Sequence, residues 1–284
     1  MRIGANLFGL GDAGGKEFKK TAPMLAEYGY RRVEPLVMFA CDRKEMEGKD
    51  FVPRSIWQQE ELVERSQWLR ERFGIVIPSI HFGGLPGEDF STKTGCMIDI
   101  LQNTDVRDFV ISRMLASPEQ CRRDAAICAR AAEAIAPYGG RLLYHNHESE
   151  LVTVTAEGKE QTILDYFLSL CPGNVLLQAD VGWVMFAGAD PDAFLRKLHD
   201  RIACVHLKDF RPAFRPERRE KDIVAVGEGA LPLADVLAAA RELGLAENLI
   251  IDQDCSQGDL MDDLRRGFAH VAGKMDNSTN GKTV

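Results

Sequence analysis

A single α/β domain folded as a (β/α)8 TIM barrel is the architecture this sequence predicts, and three observations predict it. Short apolar, β-branched runs alternate with longer amphipathic runs along nearly the whole chain. Eight strand-like runs occur, and seven of them are followed by a clear or plausible helix. The 284 residues suit a barrel built as one unit. A doubly wound sheet is the rival. Its phosphate turn opens directly into a helix, whereas here GLGDAGG follows the first strand and helix-like sequence begins only after it.

The first strand starts near Ile3 (RIGANLF), and EFKKTAPMLAEYGY is its helix. The second starts near Arg32 (RVEPLV) and leads to SIWQQEELVERSQWLRERFG, which ends in Gly as a helix C-cap does. The third starts near Ile75 (IVIPSIH); FGGLPGEDFSTKTG behind it reads as a loop first. The fourth, near Val106 (VRDFVIS), precedes SPEQCRRDAAICARAAEAIAPYGG. The fifth and sixth start near Arg141 (RLLYHNH) and Val175 (VLLQAD), and PDAFLRKLHD follows the sixth. The seventh, near Ile202 (IACVHLKD), precedes LPLADVLAAARELG, and the eighth, near Leu249 (LIIDQD), precedes GDLMDDLRRGFAHVAGK. The barrel is assigned to residues 1–274 and a polar tail to 275–284. No internal repeat is visible. The long segment Asp209–Gly229 carries Arg211, Arg215, Arg218 and Arg219. It reads as a solvated surface loop, with a lid or anion contact as the functional alternative.

Composition narrows the function. Hydrophobic residues are 45% and charged residues 27%, as in soluble globular proteins. The formal charge of −8 argues against nucleic acid as a partner, since phosphate-backbone binding leans on clustered Lys and Arg. No run approaches the roughly 18 apolar residues of a membrane span. MRIGANLFGL lacks the features of a signal peptide, so a cytoplasmic location and no membrane partner are the expectations. The seven cysteines are odd in number, scattered and without a C-x-x-C, which reads as reduced thiols.

In a barrel the active site lies at the C-terminal ends of the strands. Glu34 ends the second strand and His81 the third. The fifth ends in YHNHESE, with His145, His147, Glu148 and Glu150. The sixth ends at Asp180, followed by VGW. The seventh ends in HLKD and the eighth in DQD, with Asp252 and Asp254. Each has a plain structural explanation: an Asp after a strand caps a helix, Trp183 is a wall or core aromatic, and Glu34 either binds substrate hydroxyls or shapes its strand end. Together, carboxylates and imidazoles from four successive strands on one face need a cation or hydrogen bonds to compensate them. A divalent metal does so economically, and mixed His and carboxylate ligation suits Mn, Zn, Co or Fe better than Mg.

The motifs LLYHNHESEL, LLQADVGWVMFAGADP, RIACVHLKDF, VAVGEGALP and LIIDQD occur in that order. On them the sequence resembles the sugar phosphate isomerase/epimerase family, the xylose isomerase-like TIM barrels, over nearly the whole chain. The resemblance implies one divalent ion (Mn, Zn, Co or Mg) held by residues of strands five to eight. Asp180 and His206 match the family positions. At strand five the position is His145, with Glu150 as a second candidate. At strand eight Asp252 stands where the family usually has Glu, a side chain shorter by about 1.5 Å.

The implied activity is isomerisation or epimerisation of a sugar or keto-sugar through an enediolate, the metal acting as Lewis acid. His81, His145 and His147 are the candidate proton-transfer groups. Lys208 is the candidate for neutralising the oxyanion; it follows His206 by two residues and so shares its face. A salt bridge to Asp209 or a neighbouring carboxylate is its structural alternative. Glu34, Trp183 and Glu228 are candidate substrate contacts. The first alternative is a lyase or dehydratase of the same barrel, eliminating β to the ketone of a keto-sugar, keto-inositol or 3-keto-glycoside. An endonuclease IV-like phosphodiesterase and an inactive binding barrel stand behind it. The partner is a small-molecule substrate, and a homo-oligomer is compatible with this reading.

Overall fold

Among the described residues eight short, mostly buried strands pair in parallel and close on themselves, with the two-residue strand Trp57–Gln58 added in parallel beside Val37 and Met38. The computed structural model describes residues 3–42, 53–82 and 90–277. The barrel strands are β1 (Gly4–Asn6), β2 (Arg32–Glu34, resuming as Leu36–Met38), β3 (Ser79–Phe82), β4 (Asp108–Ile111), β5 (Arg141–His145), β6 (Val175–Asp180), β7 (Ile202–Leu207) and β8 (Leu249–Ile251). Each pairs with its neighbours in sequence, and β8 returns to β1 through Gly4↔Ile250 and Ala5↔Ile251.

The second run, RVEPLV, is one strand in two pieces. Pro35 has no N–H to give a ladder and breaks it. The first piece pairs with β1 and the second with β3, while the Pro35 carbonyl accepts from His81 N at 3.0 Å. The two halves together close the barrel.

Around the strands lie α1 (Phe18–Tyr28), α2 (Gln59–Phe73), α3 (Phe90–Asn103), α4 (Pro118–Ile135), α5 (Ile163–Leu170), α6 (Val181–Phe186), α7 (Pro191–Leu198), α8 (Leu233–Glu242) and α9 (Leu260–Asn277). Their ends are capped in sequence. The Ser117 side chain accepts from Gln120 N at 3.2 Å with Pro118 at the first helical position, and Thr162 accepts from Asp165 N at 3.0 Å. Gly29 ends α1 at φ 105°, and a Cβ there would lie 2.4 Å from the Phe268 ring. Only Gly meets both conditions. Among the described residues no helix is long and apolar enough to cross a membrane.

Four segments differ from the expectation. FGGLPGEDFSTKTG is helical from Phe90 onward, because α3 starts inside it; residues 83–89 lie outside the described residues. ILDYFLSL, which forms α5 and buries Ile163, Leu164, Tyr166, Phe167 and Leu168, has only eight residues, and so short an apolar run is not told from a strand by pattern alone. Behind β5 a hairpin pairs Thr153–Ala156 with Lys159–Thr162. Its turn residues Glu157 and Gly158 both have positive φ, 52° and 77°, as a two-residue hairpin turn of the primed type requires. The last helix runs to Asn277, and residues 278–284 of the expected tail lie outside the described residues.

Candidate active site

Cross-strand register assembles the site. Parallel pairing sets Asn6 beside Glu34, His145 beside Gln178, and Asp180 beside His206. All six side chains are buried at the C-terminal mouth of the barrel. A cavity of about 500 Å³ opens above them. His81, His145, His147, Trp183, Lys208 and Asp252 contribute to its lining, as do Arg219 and Asp254.

Glu34 lies beneath this cavity, fully buried, and its carboxylate is saturated. Oε1 accepts from Asn6 Nδ2 at 2.9 Å and from His206 Nε2 at 2.8 Å, with His81 Nε2 at 3.1 Å. Oε2 accepts from Gln178 Nε2 at 2.8 Å and from the Ser79 hydroxyl. Burial alone would raise its pKa, but His206 and His81 hold it well below the usual carboxylate range. Glu34 is therefore an acceptor that organises its neighbours, and its oxygens turn toward them.

His206 bridges two carboxylates, with Nε2 on Glu34 and Nδ1 3.1 Å from Asp252 Oδ2. Burial would depress this imidazole, but Glu34 and Asp252 push it up to about 10. Asp252 goes the other way: burial would raise it, and Lys208 and His206 hold it well below its ordinary value. Lys208 Nζ lies 3.0 Å from Asp252 Oδ2, in contact with Asp254 and 3.9 Å from Asp180 Oδ2. It is 1% exposed. Asp209 is not its partner. Successive residues alternate sides, so Asp209 faces away and serves the loop described below.

Asp180 caps α6, with Oδ1 accepting from Trp183 N at 3.0 Å. Gly182 lets α6 sit against β7, since a Cβ there would meet the Lys208 carbonyl at 2.3 Å. The other oxygen, Asp180 Oδ2, is buried and has no hydrogen-bond partner. Burial pushes Asp180 up to about 7, with Asp252 adding to the rise and Lys208 opposing it. Facing that oxygen at 3.9 Å is His145 Nε2. The Nδ1 of the same ring is 2.9 Å from Gln178 Oε1, and burial pulls this imidazole well below its ordinary range, so it is neutral. A ring nitrogen lone pair at the floor of the cavity and a buried, unpartnered carboxylate oxygen thus face one another, an arrangement that a cation would satisfy.

The donors of His145, Asp180, His206 and Asp252 all lie within 4.8 Å of one another. One ion with ligands at about 2.0–2.2 Å spans about 4.2 Å, so a small closure brings the set onto a single centre. The side chains present therefore fit the expected divalent metal. Glu150 is placed differently. Its Oε1 accepts from Leu115 N (2.8 Å) and Tyr144 Oη (2.7 Å), and its Oε2 from His147 N (3.0 Å) and Ser149 Oγ (2.9 Å). It shapes the turn that carries His147 and lies outside the four-residue group.

His81 and His147 flank His145, with ring centroids 5.3 and 5.0 Å from it. His147 Nδ1 is 3.2 Å from Ser112 Oγ. Burial lowers His147 to about 4, with Lys208 and Arg219 adding to the drop and Glu150 opposing it, so the ring is neutral at pH 7. Trp183 walls the cavity on the α6 side and packs on Phe210 at 5.1 Å. Glu228 lies elsewhere: it pairs with Arg266, faces His270 at 3.6 Å and is not part of the lining.

The long loop behind β7 is built from inside. The Asp209 carboxylate accepts from the backbone N–H of Phe210, Gly227, Gly229 and Leu231 at 2.8–2.9 Å. Asp222 pairs with Arg211 (3.0 Å) and Arg218 (2.8 Å) and accepts from Arg215 N (3.0 Å). Of the four loop arginines, Arg219 is the one that reaches the cavity. It lies 4.4 Å over the Trp183 ring and binds Glu148 through two nitrogens, at 2.6 and 3.1 Å. Asp209→Ala should orphan four N–H groups and destabilise the fold by about 3–5 kcal/mol. Thermal unfolding together with limited proteolysis within 211–229 checks this; an unchanged melting temperature and cleavage pattern would remove Asp209 as the anchor.

Gln178 and Asn6, which sequence reasoning passed over, now stand beside the residues it named, together with Asp254 from the end of the eighth strand and Arg219 from the long loop. Gln178 carried a readable signal, since it precedes Asp180 by two residues and so shares its face.

Comparison with known proteins places the fold in a family. An inosose dehydratase of Clostridium botulinum is 37% identical over 73 residues, which is 25% of this chain and 22% of that one. The chain thus spans less than a quarter of that relative's length. A sugar phosphate isomerase/epimerase from Parabacteroides distasonis has the same fold, with a TM-score of 0.76 at 18% identity over 96% of this chain and 94% of that one. A protein called IOLI, solved with a binding zinc atom, superposes with a TM-score of 0.65 at 15% identity, over 100% and 99% of the two chains. The profile of the xylose isomerase-like TIM barrel matches residues 23–272. With that match over most of its length, the chain belongs to the xylose isomerase-like TIM barrel family.

Proposed function

We propose that this chain is a metal-dependent enzyme that removes a proton from the carbon next to a ketone on a small polyol and completes the reaction by β-elimination of water. Its substrate class is a keto-inositol or keto-sugar. The observation that carries the reading is the buried, unpartnered Asp180 Oδ2 facing His145 Nε2 at 3.9 Å at the floor of the cavity. A divalent cation held by His145, Asp180, His206 and Asp252 would supply Lewis acidity toward the ketone and a neighbouring hydroxyl, acidifying the adjacent C–H. The zinc of the structural relative supports such a group, and Mn, Co and Mg remain candidates beside it.

The chain's own side chains do the rest. His81 and His147 line the cavity on either side of His145, within reach of a bound ring for proton transfer. His147, neutral at pH 7, starts as a base. The Lys208 ammonium stabilises negative charge developing on oxygen. Trp183, under the Arg219 guanidinium, closes one wall against water. The stretch shared with inosose dehydratases favours elimination. The sequence-based reading, isomerisation or epimerisation, uses the same first step and returns the proton to carbon; two cavity-lining imidazoles suit it equally.

A panel of keto-inositols, 3-keto-glycosides and ketoses, each tested with added Mn, Zn, Co or Mg, separates these. Elimination gives a conjugated enone and rising ultraviolet absorbance on a keto-inositol or keto-sugar. Interconversion of ketoses without absorbance would move the assignment to the second reading, and inertness toward the whole panel would leave a binding barrel.

Metal binding should release a proton. His206 is held protonated up to about 10, and a ligand nitrogen must be deprotonated. Below that pH, affinity should therefore strengthen as pH rises. Calorimetry in buffers of different ionisation enthalpy measures the release; a pH-independent affinity with no proton released would remove His206 from the ligand set.

A further inference from the structure

We infer that Gln178 is a positioning residue that sets which nitrogen of His145 carries the proton, and so turns His145 Nε2 toward Asp180 as a lone pair. The inference rests on the proposed metal site for its consequence, but its geometry stands without it. The polarity of the network runs outward from Glu34. An ionised carboxylate only accepts. Gln178 must therefore present its NH2 to Glu34, as it does at 2.8 Å. Its Oε1 is left to face two imidazoles, His81 Nε2 at 2.8 Å and His145 Nδ1 at 2.9 Å. An amide oxygen cannot donate, so both of those nitrogens must carry hydrogen.

The orientation is cross-checked on the far side. Asn6 gives its NH2 to the same carboxylate and accepts from Phe8 N at 2.7 Å. The neighbouring amide is thus fixed by an independent bond and agrees with an acceptor-only Glu34. Gln178 is fully buried on a strand of the barrel wall, so its side chain has no water to turn to. Once Nδ1–H of His145 is committed to Gln178, the neutral ring offers only Nε2, which lies 3.9 Å from the unpartnered Asp180 oxygen. A partner that fixes tautomer and ring orientation in this way typically contributes about 10–100-fold in metal affinity.

Long-range 1H–15N spectra of the full chain, labelled at histidine nitrogen and free of metal, read the tautomers directly. His145 should be the Nδ1–H form and His81 the Nε2–H form. Wild-type spectra showing His145 as Nε2–H would overturn the proposal, and this readout needs no variant. Gln178→Met removes the acceptor and should mix the His145 tautomers and weaken zinc binding by about 10–100-fold in calorimetry. Gln178→Glu, which takes up a proton to face Glu34, keeps an acceptor for both rings and should keep the Nδ1–H form of His145. If Gln178→Met retains the Nδ1–H form of His145, Gln178 does not set it. Wild type that binds no zinc would sink the metal reading while the spectra still decide the role of Gln178.

Discussion

His206→Gln should abolish stoichiometric metal binding and lower turnover by a factor on the order of 10³ or more, because Lewis-acid stabilisation amounts to several kcal/mol. His206 is one of the four donors grouped within 4.8 Å, and its ring joins Glu34 to Asp252. Gln is chosen over Ala because it keeps an NH2 for the buried Glu34. His206→Ala would leave two buried carboxylates without their shared cation and should destabilise the fold by about 3–5 kcal/mol. Elemental analysis after loading with Mn or Zn, with circular dichroism as the check on folding, measures the effect. A folded His206→Gln protein that still holds one equivalent would contradict the site.

Lys208→Met should lower kcat and kcat/KM together, by a factor on the order of 10² or more, with metal content unchanged. The ammonium lines the cavity at 5.3 Å from the centre of the Trp183 ring and is held there by Asp252, Asp254 and Asp180. Those three carboxylates also make Lys208 a structural cation, so the variant should melt at a lower temperature as well. The kinetics separate the two roles. Near-normal turnover in the surviving folded fraction would confine Lys208 to charge compensation and remove it from the chemistry.

The barrel was legible in the sequence because β-branched runs and amphipathic runs differ in period, and eight alternations leave few architectures open. The strand-end residues were legible because barrel geometry states where chemistry must lie. Hence Asp180, His206, His145 and Asp252 were named from sequence, and the fold brings them together. What pattern could not reach was the use each polar group makes of its neighbours. Glu150 and His145 are equally plausible ligands in YHNHESE; only the fold shows that Glu150 spends both oxygens on Leu115, Tyr144, His147 and Ser149. Glu228 sits in a family-like motif, yet it faces Arg266 and His270. Arg219 was one of four loop arginines, and nothing local distinguishes it from Arg211 or Arg218, which Asp222 holds. Gln178 escaped because an uncharged amide is not read as chemistry, although alternation put it on the Asp180 face.

Turnover in heavy water tests the central claim most directly. Metal-loaded enzyme is incubated with a keto-inositol or keto-sugar substrate in D2O, and substrate and product are examined by NMR and ultraviolet absorbance. Proton abstraction at this site predicts solvent deuterium on the carbon next to the carbonyl, or a conjugated enone, and neither once the metal is removed. Turnover that shows no deuterium and no enone would indicate direct hydride transfer and contradict the account.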